Sequence, residues 1–211
     1  MMNEAHQNIP ANVGIGTNYQ LTAATPETLA RILCESLGLP VNGTGWRQFL
    51  NKDGTGVLEL LLPRLLMTLR NYKGLLLPEL TIEHRHNLVP KTLRKSMAQR
   101  NAGVIVTPTF DCNYLALGDG TTAKTENDTA LENETLRGEF TNRYPSGVTA
   151  YLDKFFSTAE VGGNTYNEAG IIVDGTASAD TGLPLSLVSI SQNIAINQTL
   201  SVNASVTYSS L

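Results

Sequence analysis

The feature that most limits the fold of this chain is its last long run, IAINQTLSVNASVTYSS, residues 194–210. Apolar side chains recur at Ile194, Ile196, Leu200, Val202, Val206 and Tyr208, and polar ones at Asn197, Ser201, Asn203, Ser205 and Thr207. A period of two sends these sets to opposite faces of an extended strand. The reading is one strand over residues 194–208, with Ile194, Ile196, Leu200, Val202 and Val206 on its buried face. A strand of this length needs neighbours. NAGVIVTPTF, NYLALG, VTAYLDKFF, YNEAGIIVDG and LPLSLVSIS are shorter runs of the same type. Their close spacing predicts an antiparallel β-sandwich-like domain over residues 101–211.

The first half changes period. In TPETLARILCESLG, Thr25 can cap a helix, Pro26 fits its first position, and Leu29, Ile32, Leu33 and Leu37 share one side. Gly38 can end it. VLELLLPRLLMTLRNY carries Leu58, Leu61, Leu62, Leu65, Leu66 and Leu69 around a wide face, with a kink or break expected at Pro63. That face exceeds what one amphipathic helix buries, so residues 57–69 are the expected contact with another chain. KTLRKSMAQR reads as a short basic helix. The fold class expected from these patterns is α+β: a helical N-terminal half, then the antiparallel β half. Three regions follow: an extended N-terminal arm over 1–20, ordered only by a neighbour, a helical assembly region over 21–100, and the β domain over 101–211. Charge divides the chain at the same place. Residues 1–100 carry a net +4 and residues 101–211 a net −8.

Composition excludes several classes. No stretch approaches the roughly 20 apolar residues that span a bilayer, so no membrane partner is expected. The first twenty residues lack a basic segment followed by an apolar run, so no secretory signal is expected there. The five Asn-x-Ser/Thr triplets, at Asn42, Asn127, Asn133, Asn197 and Asn203, are then composition rather than glycosylation sites. Cys34 and Cys112 lie far apart and read as small buried hydrophobes. The formal charge of −4 argues against nucleic acid as a partner. KTLRKSMAQR, with no aromatic platform beside it, is read as a solvated or partner-facing helix.

Chemistry is harder to find. GDGTT at 118–122 lacks the Gly-x4-Gly-Lys-Ser/Thr spacing of a phosphate loop. Asp119, Glu126 and Asp128 lack the register of a calcium loop. A turn explains Gly118 and Gly120 without a ligand. His84 and His86 would share a face on a strand, with no third metal ligand nearby in sequence. No serine sits in a nucleophile elbow, and neither cysteine has a local histidine partner. The expectation is no catalytic, cofactor-binding or metal residue, no cofactor, no small-molecule ligand and no enzymatic activity.

One ordered set of residues points further. YLALGDGTTAKTENDTALENETLRGEF carries Tyr114, Ala116, Gly118, Thr121, Thr122, Asp128, Thr129, Ala130, Leu131, Glu134 and Arg137. VTAYLDKFF, the Asn-Glu-Ala-Gly around Glu168 and Gly170, and the terminal alternating strand follow. In this order, over about residues 112–211, the chain resembles structural proteins of tailed-bacteriophage virions of the tail-fibre or tail-associated type. Residues 1–100 match nothing. The resemblance implies a phage virion structural protein, assembled in the host cytoplasm as a homo-oligomer with neighbouring fibre, baseplate or neck proteins. The alternatives are a head decoration or cement protein, or a carbohydrate-binding receptor-recognition module with Trp46 and the tyrosines as stacking surfaces. Leu131 and Leu136 are expected to pack along the domain, and Arg137, near Glu134 and Glu139, to pair with a carboxylate locally; the family pattern suggests Glu168 as that partner.

Overall fold

A computed structural model describes residues 13–72, 80–86, 89–106 and 108–210. It is mostly β, 40% strand against 23% helix, so the expected helical first half is corrected to a few short helices laid on a two-sheet sandwich. Among the described residues nine strands occur in chain order: β1 Val13–Ala24, β2 Thr81–His86, β3 Cys112–Gly118, β4 Glu134–Glu139, β5 Asn142–Ser146, β6 Thr149–Phe156, β7 Thr165–Val173, β8 Leu183–Asn193 and β9 Thr199–Ser210. The helices are α1 Pro26–Ser36, α2 Leu62–Arg70, α3 Lys91–Asn101 and α4 Thr158–Val161. One sheet runs β2-β1-β9-β6-β5 and the other β4-β3-β7-β8, and every pairing is antiparallel.

The arm expected over residues 1–20 is a strand from Val13 onward, while residues 1–12 lie outside the described residues. β1 pairs along its whole length with β9, so one sheet is knitted from both halves of the chain. The register explains how so polar a segment joins a core. Tyr19 lies opposite Ala204, Leu21 opposite Val202, and Thr17 opposite Val206, a large side chain facing a small one at the first of these. Tyr19, Leu21 and Ala23 then meet Leu115, Leu117, Ile171 and Val188 from the facing sheet in one buried cluster. The Tyr19 hydroxyl crosses to Ser186, and burial drives its pKa well above the usual tyrosine range.

The single strand expected over residues 194–208 begins only at Thr199, because residues 194–198 form the connection from β8. Residues 183–193 form β8, 199–210 form β9, and the chain turns between them, which leaves Ile196 83% exposed. Ile194, Leu200, Val202 and Val206 are buried as the pattern requires. Part of the polar face is buried too: Ser201 and Asn203 are buried, and Asn203 Nδ2 donates to Leu66 O of α2 at 2.9 Å.

The helices account for four of the six leucines expected at another chain, while Leu58 and Leu61 are half-buried. Thr25 caps α1, accepting from Thr28 N, and Pro26 opens it. Pro63 falls in the first turn of α2, after a short 3-10 turn over Glu59–Leu61, so it starts a helix rather than kinking one. Leu62, Leu65, Leu66 and Leu69 are buried within the chain. Leu62, Leu65 and Leu69 join Leu29, Ile32, Leu33, Trp46 and Phe49 in a second cluster, and Phe155 of β6 packs against it. Each such leucine contributes about 1.5–3 kcal/mol through burial alone. The helical layer is also pinned by charge. Arg70 of α2 reaches the fully buried Asp153 of β6, donates to Ala204 O at 3.1 Å, and lies 4.4 Å over the Tyr151 ring.

Candidate functional site

The segment with the most distinctive sequence is held by one buried carboxylate. β3 ends at Gly118, and residues 119–133 then cross the outer face of the second sheet before β4 begins. Leu131 anchors that crossing among Tyr114, Ala116, Ile172 and Leu187, as expected. Leu136 packs against the inner core instead.

Glu168, fully buried on β7, lies opposite Gly118 on β3. Each strand is irregular here, with register shifts at Leu117/Gly118 and at Tyr166/Glu168. Such irregularities re-aim side chains. The Glu168 carboxylate accepts backbone N–H groups from Gly120 at 3.2 Å, Glu132 at 2.9 Å and Asn133 at 2.8 Å. Lys124, whose side chain is 5% exposed, completes the set as its ion-pair partner. Both ends of the crossing loop are therefore tied to one side chain.

The glycines are required by closeness. A Cβ at 118 would collide with Asn133 O and Glu168 Oε1, and one at 120 would stand 2.6 Å from Glu168 Oε1. GDGTT is thus a turn whose two glycines admit a carboxylate against the backbone.

The remaining acids of the loop serve local turns. Glu132 accepts from Thr122 N and Oγ1, both at 2.8 Å, and Asp128 accepts from Thr125 N and Oγ1, both at 2.8 Å. Those backbone N–H bonds hold both carboxyls below their ordinary pKa values. Asp119 accepts from Asn133 Nδ2 at 2.6 Å. Glu126 faces the basic helix instead, pairing with Lys91 and Arg94 of α3, and these bonds, Lys91 foremost, lower its pKa. Asp119, Glu126 and Asp128, whose spacing lacks a calcium-loop register, are engaged in separate contacts. Among the described residues, no three His, Cys, Asp or Glu side chains stand close enough to hold a metal.

Arg137 pairs with a local carboxylate as expected, but not with the suggested Glu168. Its partner is Glu134, by a two-pronged contact at 2.5 and 2.7 Å. Its third nitrogen donates to Thr176 O and Thr181 O, both at 3.0 Å, and to Thr181 Oγ1 at 2.9 Å. Arg137 thereby fastens the β7–β8 loop to β4. The Tyr114 hydroxyl donates to Glu139 at 2.9 Å, which raises the tyrosine pKa.

Other candidates separate. His84 is exposed on β2, and the His86 side chain lies outside the described residues. Cys34 is buried, Cys112 is half-buried, and both are free thiols. Trp46 is 6% exposed, with Arg31 and Arg47 over its ring at 5.1 and 5.5 Å, so it offers no open stacking face. Tyr144 and Tyr151 stack on each other at 5.1 Å. The Lys124–Glu168 and Arg70–Asp153 pairs escaped sequence reasoning because neither has a local signature: the partners come from distant elements.

Comparison with known proteins finds no matching family model, no matching curated protein and no matching solved structure.

Proposed function

We propose that this chain is a structural protein of a tailed-bacteriophage virion, assembling with itself and with neighbouring tail proteins of the fibre, baseplate or neck, and working without catalysis or cofactor. The observation that carries this reading is the use made of the residues behind the resemblance. Gly118, Leu131 and Glu168 fix the 119–133 loop, and Glu134 and Arg137 fasten the β7–β8 loop to the same sheet, so all five serve one sheet-and-loop unit. Side chains spent on holding backbone fit a part whose work is to keep its shape. The same unit brings no open constellation of nucleophile, base and oxyanion donors together, so it supplies no starting point for an enzymatic mechanism.

The experiment is direct. Purified particles of a phage encoding the chain are probed by quantitative mass spectrometry, and its position is found by antibody labelling in the electron microscope. The expected result is a fixed multiple-copy stoichiometry with label on the tail. Label on the head would replace the tail assignment with the decoration reading. Absence from infectious particles would overturn the proposal.

A further inference from the structure

Four acid-or-amide residues in this chain are followed directly by glycine: Asn42–Gly43, Asp53–Gly54, Asp119–Gly120 and Asp174–Gly175. Such pairs are chemically fragile, because the glycine nitrogen can attack the preceding side-chain carbonyl with no side chain in the way. The attack needs a free amide nitrogen. In three of the pairs that nitrogen is engaged. Gly54 N donates to Asn51 O at 3.0 Å, Gly120 N to Glu168 Oε1 at 3.2 Å, and Gly175 N to Asn113 Oδ1 at 3.0 Å.

Gly43 differs. Among the described residues its N–H has no hydrogen-bond partner. Its φ is +89°, and a Cβ built there would meet nothing within 4 Å, so the space around it is open. Asn42 and Gly43 are both exposed, in the connection after α1. This is also the one pair of the four whose leaving group is ammonia rather than water.

We propose that Asn42 is a site of spontaneous deamidation, and that its conversion is sensed by Trp46. The Gly43 amide gives up its proton to solvent hydroxide, and its nitrogen forms a bond to Asn42 Cγ. The Cγ–Nδ2 bond breaks as Nδ2 takes a proton back from water, regenerating hydroxide, and leaves as ammonia, closing a five-membered imide. Water then adds to either imide carbonyl and yields aspartate or isoaspartate. No oxidant or enzyme is needed, and one negative charge is added. The link to Trp46 is a hydrogen bond: the indole Nε1–H donates to Gly43 O at 2.9 Å. Isoaspartate inserts a methylene into the main chain one residue before that carbonyl. The indole contact shifts, and with it the tryptophan between Arg31 and Arg47. Trp46 is the only tryptophan in the chain, so its emission reports this loop alone.

The test ages the full-length protein at mildly alkaline pH and physiological temperature. Samples are digested with trypsin, and the peptide Ile32–Arg47 is followed by mass spectrometry and chromatography. The expected result is replacement of this peptide by two products about one mass unit heavier, isoaspartate and aspartate, with conversion faster at higher pH. The other asparagines change more slowly in the same digests. Tryptophan emission should move in step with conversion in the wild type and stay fixed in Asn42→Ser. An intact Asn42 at times when other asparagines have converted would overturn the assignment. Full conversion with an unmoved emission spectrum would overturn the coupling to Trp46.

Discussion

Replacing Glu168 with glutamine isolates the charge at the centre of the loop-on-sheet unit while keeping its shape. The wild-type carboxylate receives three backbone N–H groups, at 2.8, 2.9 and 3.2 Å, and the Lys124 ammonium. Glutamine offers one acceptor oxygen where there were two, and its amide nitrogen faces donors. Lys124, 5% exposed, is left buried without a counter-charge. Breaking a buried ion pair from one side costs about 3–5 kcal/mol. Losing charge-assisted hydrogen bonds costs about 1.5–3 kcal/mol each, and these overlap with the first figure rather than adding to it. The expected loss is therefore about 3–5 kcal/mol, a fall in Tm of about 6–20 °C for a chain of this size. The assay is urea unfolding followed by circular dichroism, with the same measurement on Lys124→Met and on the double variant. Removing both charges leaves no orphan, so the double variant should recover about 0.5–3 kcal/mol relative to the sum of the singles. A Glu168→Gln protein within about 1 kcal/mol of wild type, below the net value of even one charged hydrogen bond, would refute the reasoning. So would additive single effects.

Leu66→Asp should destabilise a demonstrably monomeric sample by several kcal/mol, because Leu66 is buried by its own chain rather than by a neighbour; unchanged melting would restore the intermolecular reading of residues 57–69. Gly120→Ala should cost about 1–3 kcal/mol through forced displacement of Glu168, whereas Gly16→Ala, where a Cβ meets nothing within 4 Å, should melt at or slightly above wild type; equal effects would argue against close approach as the reason for glycine at 120. Burial pushes the Cys112 thiol from 9.0 up to about 12. The folded state thus keeps a proton that the unfolded chain releases, and this contribution is complete below pH 9 and is lost as pH rises towards 12. Stability measured across that window should fall less steeply in Cys112→Ala, and identical slopes would show that the thiol is not the group responsible.

The helix starting at Thr25 was legible because its signals are local: a capping hydroxyl, a proline at the first turn, and apolar spacing all lie within one segment. The β character expected over residues 101–211 was legible for the same reason, except in NAGVIVTPTF, where Asn101 ends α3 and no strand forms among the described residues. β1 was not, since Gly14, Gly16, Asn18 and Gln20 dilute its pattern and its place in the core depends on Ala204 making room for Tyr19. The leucines of α2 misled in the opposite direction. Their number is real, but they face a second apolar cluster built from α1, Trp46 and Phe49, and a sequence does not show that the far face of a sheet will be roofed. That roof also explains why Asn203, polar by pattern, is buried. The local pairing of Arg137 was legible, but its suggested partner Glu168 was not the right one. A two-pronged contact three residues away outcompeted a distant carboxylate already filled by backbone donors.

Both outer faces of the sandwich are thus covered by the chain itself, one by α1 and α2, the other by residues 119–133. The strand edges at β5, β8 and β4 are guarded as well. On β5, Pro145 lacks a donor and Arg143 is tied to Asp111. At β8, the Ser191 N–H is taken by the Glu83 carboxylate reaching over from β2, at 3.2 Å. Beside β4, the 176–181 loop is fastened by Arg137. Strand addition is the contact these edges resist. An assembly of the proposed kind would therefore be built from side chains on a preformed surface, which demands a protomer rigid before it docks, and the buried Lys124–Glu168 and Arg70–Asp153 pairs are what hold its loop and its helical layer to the sheets.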